Sequence, residues 1–273
     1  MAAVRRYPSR FHEGVRYIVT GDYTKYTAWS ELLESCANVI FAAGLAHDKK
    51  DTEKYDIISQ MNAVLPYEIA KCAIEKNVEK FIFLSSIKVN GEITELGEPF
   101  GEQSVPAPCD KYSFSKMLGE EKLCELQPSN TQIAIIRLPL VVGLGAKGNV
   151  GLIHKMISKR LPIPVRNIDF NSRSIILLDE LCMNLCHMLT NGSGINGVHF
   201  IKHDRNLSTK EIVQLIGELD CKKAILFSLP ILFLKTAFFI FKLKRLKTQL
   251  LCNLEIISNY KISETDDAEP HIR

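Results

Sequence analysis

The chain has no CxxC pair and no His/Cys cluster at metal-ligand spacing, although it carries eight cysteines. No metal site is therefore expected, and the common zinc modules are excluded on spacing. Cys182 and Cys186 lie one helical turn apart in an apolar segment and read as buried free thiols, which fits a reducing compartment. Charge of one sign is also lacking. Its 34 basic and 31 acidic residues leave a net charge of +3, spread along the chain, too little to imply nucleic acid. The start, "MAAVRRYPSRFHEGV", has no apolar core of a secretory signal, so a cytoplasmic location is expected. Uninterrupted apolar runs are short. "AILFSLPILFLKTAFFIF" (224–241) is 18 residues long and is broken by Pro230 and Lys235. A spanning helix needs about 20 apolar residues, and a central lysine costs roughly 2.5–3.5 kcal/mol. Lys222, Lys223, Lys242, Lys244, Arg245 and Lys247 flank the run. It reads either as a buried helix of a covering lobe or as a helix resting on an anionic inner-leaflet surface through 222–247.

What is present is a large apolar fraction, 46% of 273 residues, enough for one large domain or a domain with a cap. Short apolar runs alternate with helical patterns. Strands are predicted at 15–20, 38–43, 81–86 and 132–138, and helices at 28–36, 53–76 and 110–126. Strands apolar on both faces, separated by helices, predict a parallel sheet with helical crossovers. Asp110 is the expected N-cap of the third helix. Beyond Gly143 come a glycine-rich loop (143–151), a helix at 151–159, an extended link at 161–165 and strands at 173–178 and 197–201. Further helices are expected at 180–190, capped by Asp179, and at 208–219, opened by a Ser208–Glu211 capping box.

"KYSFSK" (111–116) puts Tyr112 and Lys116 one turn apart on one helix face. A free tyrosine is a poor base, with a pKa of about 10. A nearby ammonium stabilises the phenolate and makes proton exchange with a hydroxyl feasible near neutral pH. Ser85 and Ser86 end the strand at 81–86, where a parallel sheet presents its ligand edge.

Taken with "GDYT" (21–24), "NVIFAAGLAH" (38–47), Asn62, "KFIFLSSIKVNGE" (80–92), "RLPLVVGLGAKGN" (137–149) and "RSIILLDEL" (173–181), the chain resembles the extended short-chain dehydrogenase/reductases that act on nucleotide sugars. The resemblance runs from about Tyr17 to Lys261. It implies an α/β fold, a Rossmann-like doubly wound parallel sheet with a smaller C-terminal substrate-binding lobe. Residues 1–145 would form the dinucleotide-binding domain and 146–262 the lobe, with about 173–201 returning to the main domain and 263–273 a disordered tail. It implies NAD or NADP as cofactor and a UDP-sugar as substrate. Tyr112 matches the catalytic acid/base, Lys116 its partner at the nicotinamide ribose, and Ser86 the third catalytic residue. Asp22, Tyr23, Ala42, Ala43, Gly44, Asn62 and Pro139 match cofactor-binding positions. Asn149 and Arg173 match positions gripping the substrate diphosphate, and relatives commonly pair through helices like 53–76 and 110–126.

The sequence departs from that pattern in two respects. No GxGxxG or GxxGxxG lies near the N-terminus, and "VRRYPSR" (4–10) resembles the stretch after the family's second strand. The first glycine-rich βαβ unit is therefore expected to be missing, which leaves two readings, an active oxidoreductase or an impaired remnant that acts by binding. Leu140 stands where 4-epimerases of UDP-galactose usually carry asparagine. That leaves 4-epimerase and 4-keto-reductase both open, in either case feeding surface polysaccharide synthesis.

Overall fold

The run Lys80–Ser86 is a strand, β4, because four successive apolar residues, Phe81 to Leu84, suit a site covered on both faces; Phe81, Ile82 and Phe83 are completely buried there. In the computed structural model the described residues are 1–9, 11–45, 54–127, 129–190, 194–240 and 244–260. The chain divides into two units: Met1–Ser85 with Pro108–Ile135 and Gly194–Gly197, and Ser86–Ala107 with Ile136–Ser193 and Val198–Arg273.

The first unit opens with two short strands, β1 (Ala2–Val4) and β2 (Tyr17–Val19), paired in parallel with Ala2 opposite Tyr17. A five-residue helix α1 (Trp29–Leu33) leads to β3 (Asn38–Phe41), which pairs in parallel with β4, Asn38 opposite Lys80. The long amphipathic helix predicted at 53–76 is present as three joined pieces: α2 (Lys54–Ser59), a π-helical segment (Gln60–Val64) and α3 (Leu65–Glu75). Such π segments recur at functional positions, and this one carries Asn62. Helix α4 (Lys111–Cys124) opens on a complete capping box, Asp110 accepting from the Ser113 amide at 2.7 Å while the Ser113 hydroxyl accepts from the Asp110 amide at 3.0 Å. β5 (Gln132–Leu138) falls on the predicted residues.

The second unit contains β6 (Leu140–Val142), α5 (Gly148–Ser158), β7 (Ile175–Leu177), α6 (Leu178–Thr190), β8 (Gly197–Phe200), α7 (Thr209–Leu219), α8 (Ile231–Ile240) and α9 (Lys244–Leu251). Its core gathers Val142, Ile157, Ile168, Ile175, Val213 and Ile216. Burying each such side chain contributes roughly 1.5–3 kcal/mol. The strand orders are β1-β2, β3-β4-β5-β8 and β6-β7.

Several expectations are corrected. Helix α1 is shorter than the 28–36 pattern, and β1 and β6 are strands of three residues that no periodicity announced. Asp179 is not a cap, because α6 continues directly from β7 at Leu178; the Glu180 carboxylate instead reaches back to the Leu177 amide at 3.1 Å. Cys182 and Cys186 are exposed rather than buried. The buried face of α6 is Leu181, Leu185 and Met188, and each cysteine sits one residue beyond it. In α8 the buried-helix reading describes Leu234 but not Leu232 and Phe233, which are 77% and 61% exposed. No helix among the described residues is long and apolar enough to cross a membrane. The tail at 263–273 and Lys242 lie outside the described residues.

Candidate active site

Lys116 is the centre of the constellation in the first unit. It lies on the second turn of α4, one turn after the half-buried Tyr112, and is only 3% exposed. Its ammonium donates to the Leu84 carbonyl on β4 at 2.8 Å and stands 4.4 Å from the centroid of the Phe83 ring. Burial pulls its pKa from 10.5 down to about 8, while the Glu120 carboxylate one turn further on acts in the opposite sense. Glu120 is itself buried and accepts a short hydrogen bond from the Ser85 hydroxyl.

Asn62, fully buried in the π-helical segment, fixes what surrounds this lysine. Its amide donates to the Ser115 hydroxyl at 2.9 Å and to the Leu45 carbonyl at 3.0 Å, and its oxygen accepts from the Leu45 amide at 3.0 Å. Ser115 in turn donates to the Tyr112 carbonyl at 2.7 Å. The stretch leaving β3 is thereby tied to α4. Gly44 lies on that stretch, and a Cβ there would sit 3.2 Å from the Asn62 oxygen and 3.3 Å from the Lys116 nitrogen. Helix α4 approaches this closely because of Gly119, where a Cβ would collide with the Asn62 carbonyl oxygen.

The remaining predicted residues fall into other groups. Asp22 closes a tight turn after β2, accepting from the amide and hydroxyl of Thr24 at 3.1 and 2.9 Å; those bonds hold its carboxyl below the usual range. Tyr23 donates to the Ala3 carbonyl at 3.2 Å and, with Ala42 and Ala43, lines a cavity of about 770 Å³. Ser86, the last residue of β4, accepts from the Lys88 amide at 3.3 Å and caps the 3-10 turn Ile87–Val89. Pro139 is buried between β5 and β6. In the second unit Asn149 and Arg173 turn to one segment: Asn149 donates to Gln249 at 2.7 Å, and Arg173 to the carbonyls of Cys252 at 2.9 Å and Thr248 at 3.4 Å. Arg173 is buried, which lowers its pKa.

Within the first unit, then, Gly44, Asn62 and Lys116 are brought together, with Tyr112 on the same helix face. Sequence reasoning missed Glu120, Ser115 and Gly119. Glu120 carries a helical signal, i+4 from Lys116, but its partner Ser85 is 35 residues away and no local pattern links them.

Comparison with known proteins gives this arrangement a context. The NAD dependent epimerase/dehydratase family model matches residues 1–197. A UDP-glucose 4-epimerase of Vibrio cholerae is 33% identical over 197 residues, 71% of this chain and 60% of that protein. The chain thus spans 60% of the length of that relative. Among solved structures, a UDP-glucuronic acid 4-epimerase of Bacillus cereus in complex with NAD aligns with a TM-score of 0.64 at 19% identity, covering 78% of this chain and 70% of its own. A dTDP-4-dehydrorhamnose reductase of Bacillus anthracis in complex with NADP aligns at 0.63 and 16%, covering 79% and 75%. At such identities the structural likeness establishes the Rossmann-like α/β fold. With the family model matched from the first residue across both Tyr112 and Lys116, the chain belongs to the NAD dependent epimerase/dehydratase family.

Proposed function

We propose that the chain is a nucleotide-sugar oxidoreductase acting at C4 of a UDP-hexose or UDP-N-acetylhexosamine, with NAD or NADP as cofactor, in surface polysaccharide synthesis. The observation that carries this reading is the buried ammonium of Lys116 one helical turn from Tyr112. A lysine buried at that position favours the tyrosinate and holds the ribose side of a dinucleotide by donating hydrogen bonds.

The residues fit such a cofactor. Gly44 keeps main chain, rather than a Cβ, against the lysine nitrogen and the Asn62 oxygen. Ala42, Ala43, Gly44, Asn62, Pro139, Asp22 and Tyr23 are assigned to its binding, beside Tyr112 and Lys116. When bound, the nicotinamide supplies hydride exchange at the sugar carbon. Tyr112 takes the proton of the C4 hydroxyl during oxidation and returns it to the C4 oxygen during reduction. Ser86 donates a hydrogen bond to that oxygen, and Asn149 and Arg173 hold the diphosphate, a guanidinium being suited to bidentate contact with phosphate.

The 33% identical relative supports the epimerase form, in which both half-reactions occur on one sugar. Leu140, in place of asparagine, supports the 4-keto-reductase form. Purified protein is assayed with UDP-GlcNAc for conversion to UDP-GalNAc, and with NAD(P)H and a UDP-4-keto-6-deoxy-N-acetylhexosamine for loss of reduced cofactor. Failure of both, with no dinucleotide retained on purification, overturns the oxidoreductase reading in favour of a binding role. A peripheral membrane contact through 222–247 is part of the proposal, supported by the exposure of Leu232 and Phe233 and of Lys222 and Lys223 in that segment. Failure to pellet with anionic vesicles at low salt ends it. Pairing of two copies through α2–α3 and α4 is likewise proposed, and a monomeric mass in sedimentation overturns it.

A further inference from the structure

In the second unit the segment that follows α9 runs extended between two others. On one side the Glu255 amide donates to the Thr94 hydroxyl at 3.1 Å, the Phe100 amide to the Glu255 carbonyl at 2.9 Å, and the Ile257 amide to the Phe100 carbonyl at 2.8 Å. On the other side the Leu254 amide donates to the Ser172 carbonyl at 3.0 Å, and the Leu254 carbonyl accepts from the Ser174 amide at 2.9 Å. Side chains alternate faces along such a stretch. Leu254 and Ile256 join a core with Ile87 and Phe200, so Glu255 and Ile257 face the opposite way. Both line a cavity of about 410 Å³, together with Gly97, Pro99, Lys202 and Asp204.

Glu255 is only 7% exposed. Its Oε1 is fully taken, accepting a short hydrogen bond from the Ser172 hydroxyl and another from the Asn206 amide at 2.8 Å. Its Oε2 has only the Gly97 amide, at 3.5 Å, the outer limit of a hydrogen bond. The two amides are donors only, which suits an ionised carboxylate. Among the described residues no basic side chain pairs with it. The two basic side chains on the cavity wall turn to other acceptors. Lys202 donates to the carbonyls of His203 and Asp204, both at 3.0 Å, and the His203 ring bonds Glu180 at 2.6 Å. Buried charges are ordinarily paired, and this one meets a cavity instead.

The missing partner is a cation, and the wall defines its kind. A calcium or magnesium ion takes about six or more oxygens. Glu255 has one oxygen to give, and no cluster of three metal-ligating side chains occurs among the described residues. An alkylammonium needs less: one of its three donors meets Oε2, and its stem lies against apolar side chains. Pro99 and the exposed Ile257 form that apolar wall. The volume is that of a site for a small organic molecule. We propose that this cavity binds a small aliphatic amine, held as its ammonium by the Glu255 carboxylate. The site is independent of turnover at Tyr112, and its test reads binding alone.

Butylammonium chloride is titrated into the whole chain by calorimetry, beside butanol, which matches its shape without the charge, and calcium chloride. Saturable binding of butylammonium at a single site is expected, with none from butanol or calcium. Glu255→Gln keeps an acceptor for Ser172 and Asn206 while removing the charge, and is expected to weaken binding roughly tenfold or more. If that variant unfolds, Ile257→Lys gives the second test. Position 257 is 56% exposed and lines the cavity, so a lysine there is accommodated and sets its own ammonium against the ligand's. That variant is expected to lose butylammonium binding while unfolding in urea as a single cooperative transition. The proposal fails if butylammonium does not saturate below about 10 mM, if butanol binds equally, or if calcium takes its place more tightly. It also fails if binding survives Glu255→Gln or Ile257→Lys unchanged.

Discussion

The Lys116 ammonium lies 2.8 Å from the Leu84 carbonyl oxygen, and almost nothing of it reaches solvent. A charged group so enclosed is held by fixed dipoles and by one carboxylate rather than by water. Its protonation is therefore linked to folding.

The folded-state pKa of about 8 lies below the ordinary lysine value of 10.5. Between these values the unfolded chain retains a proton that the folded chain has lost, so stability rises with pH across that window. The total rise from this group is roughly 3 kcal/mol, and below the window its contribution is constant. Urea unfolding of the wild type and Lys116→Met across the window isolates it. The wild type is expected to gain stability relative to the variant as pH rises, and parallel curves would refute the assignment.

Glu120→Gln removes the carboxylate that supports the lysine charge. The Lys116 pKa is expected to fall further, so the rise in stability begins at lower pH than in wild type. An unchanged onset would show that Glu120 has no electrostatic hold on Lys116.

Tyr112→Phe deletes the phenolic hydroxyl alone. Activity is expected to fall by a factor of about 10² to 10⁴, the usual contribution of a positioned acid/base, with an unchanged far-ultraviolet circular dichroism spectrum. Turnover at the wild-type rate would remove Tyr112 from the chemistry.

Gly119→Ala drives a methyl group into the Asn62 carbonyl. Destabilisation of about 1–3 kcal/mol is expected from overpacking, with faster hydrogen exchange at the Leu45 amide as the Asn62 bridge loosens. A neutral effect in urea unfolding would mean that α4 and the π-helical segment move apart without cost.

What could be read in advance was what local spacing encodes. The Asp110 N-cap and the Ser208–Glu211 capping box are local patterns visible before any fold is known, whereas the reciprocal bond from the Asp110 amide to Ser113 emerges only in the structure. β5 was legible because five of its seven residues, Ile133 to Ile136 and Leu138, are apolar in close succession. The one-turn spacing of Tyr112 and Lys116 is likewise sequential. The bonds from Asn62 to Leu45 and Ser115 span 17 and 53 residues, and only the folded chain brings those partners together. Cys182 and Cys186 were misread because an apolar helix does not announce which stripe faces inward. Leu181, Leu185 and Met188 take the inner side, and the adjacent thiols face solvent.

Arg173 gives its guanidinium to the carbonyls of Thr248 and Cys252, at the C-terminal end of α9, where a helix favours a cation. An anion that recruits this arginine competes with main-chain acceptors already in place. Tight anion capture and a firmly closed helix end are therefore opposing demands on one side chain, and a ligand bound there would be felt along the turn that ends α9.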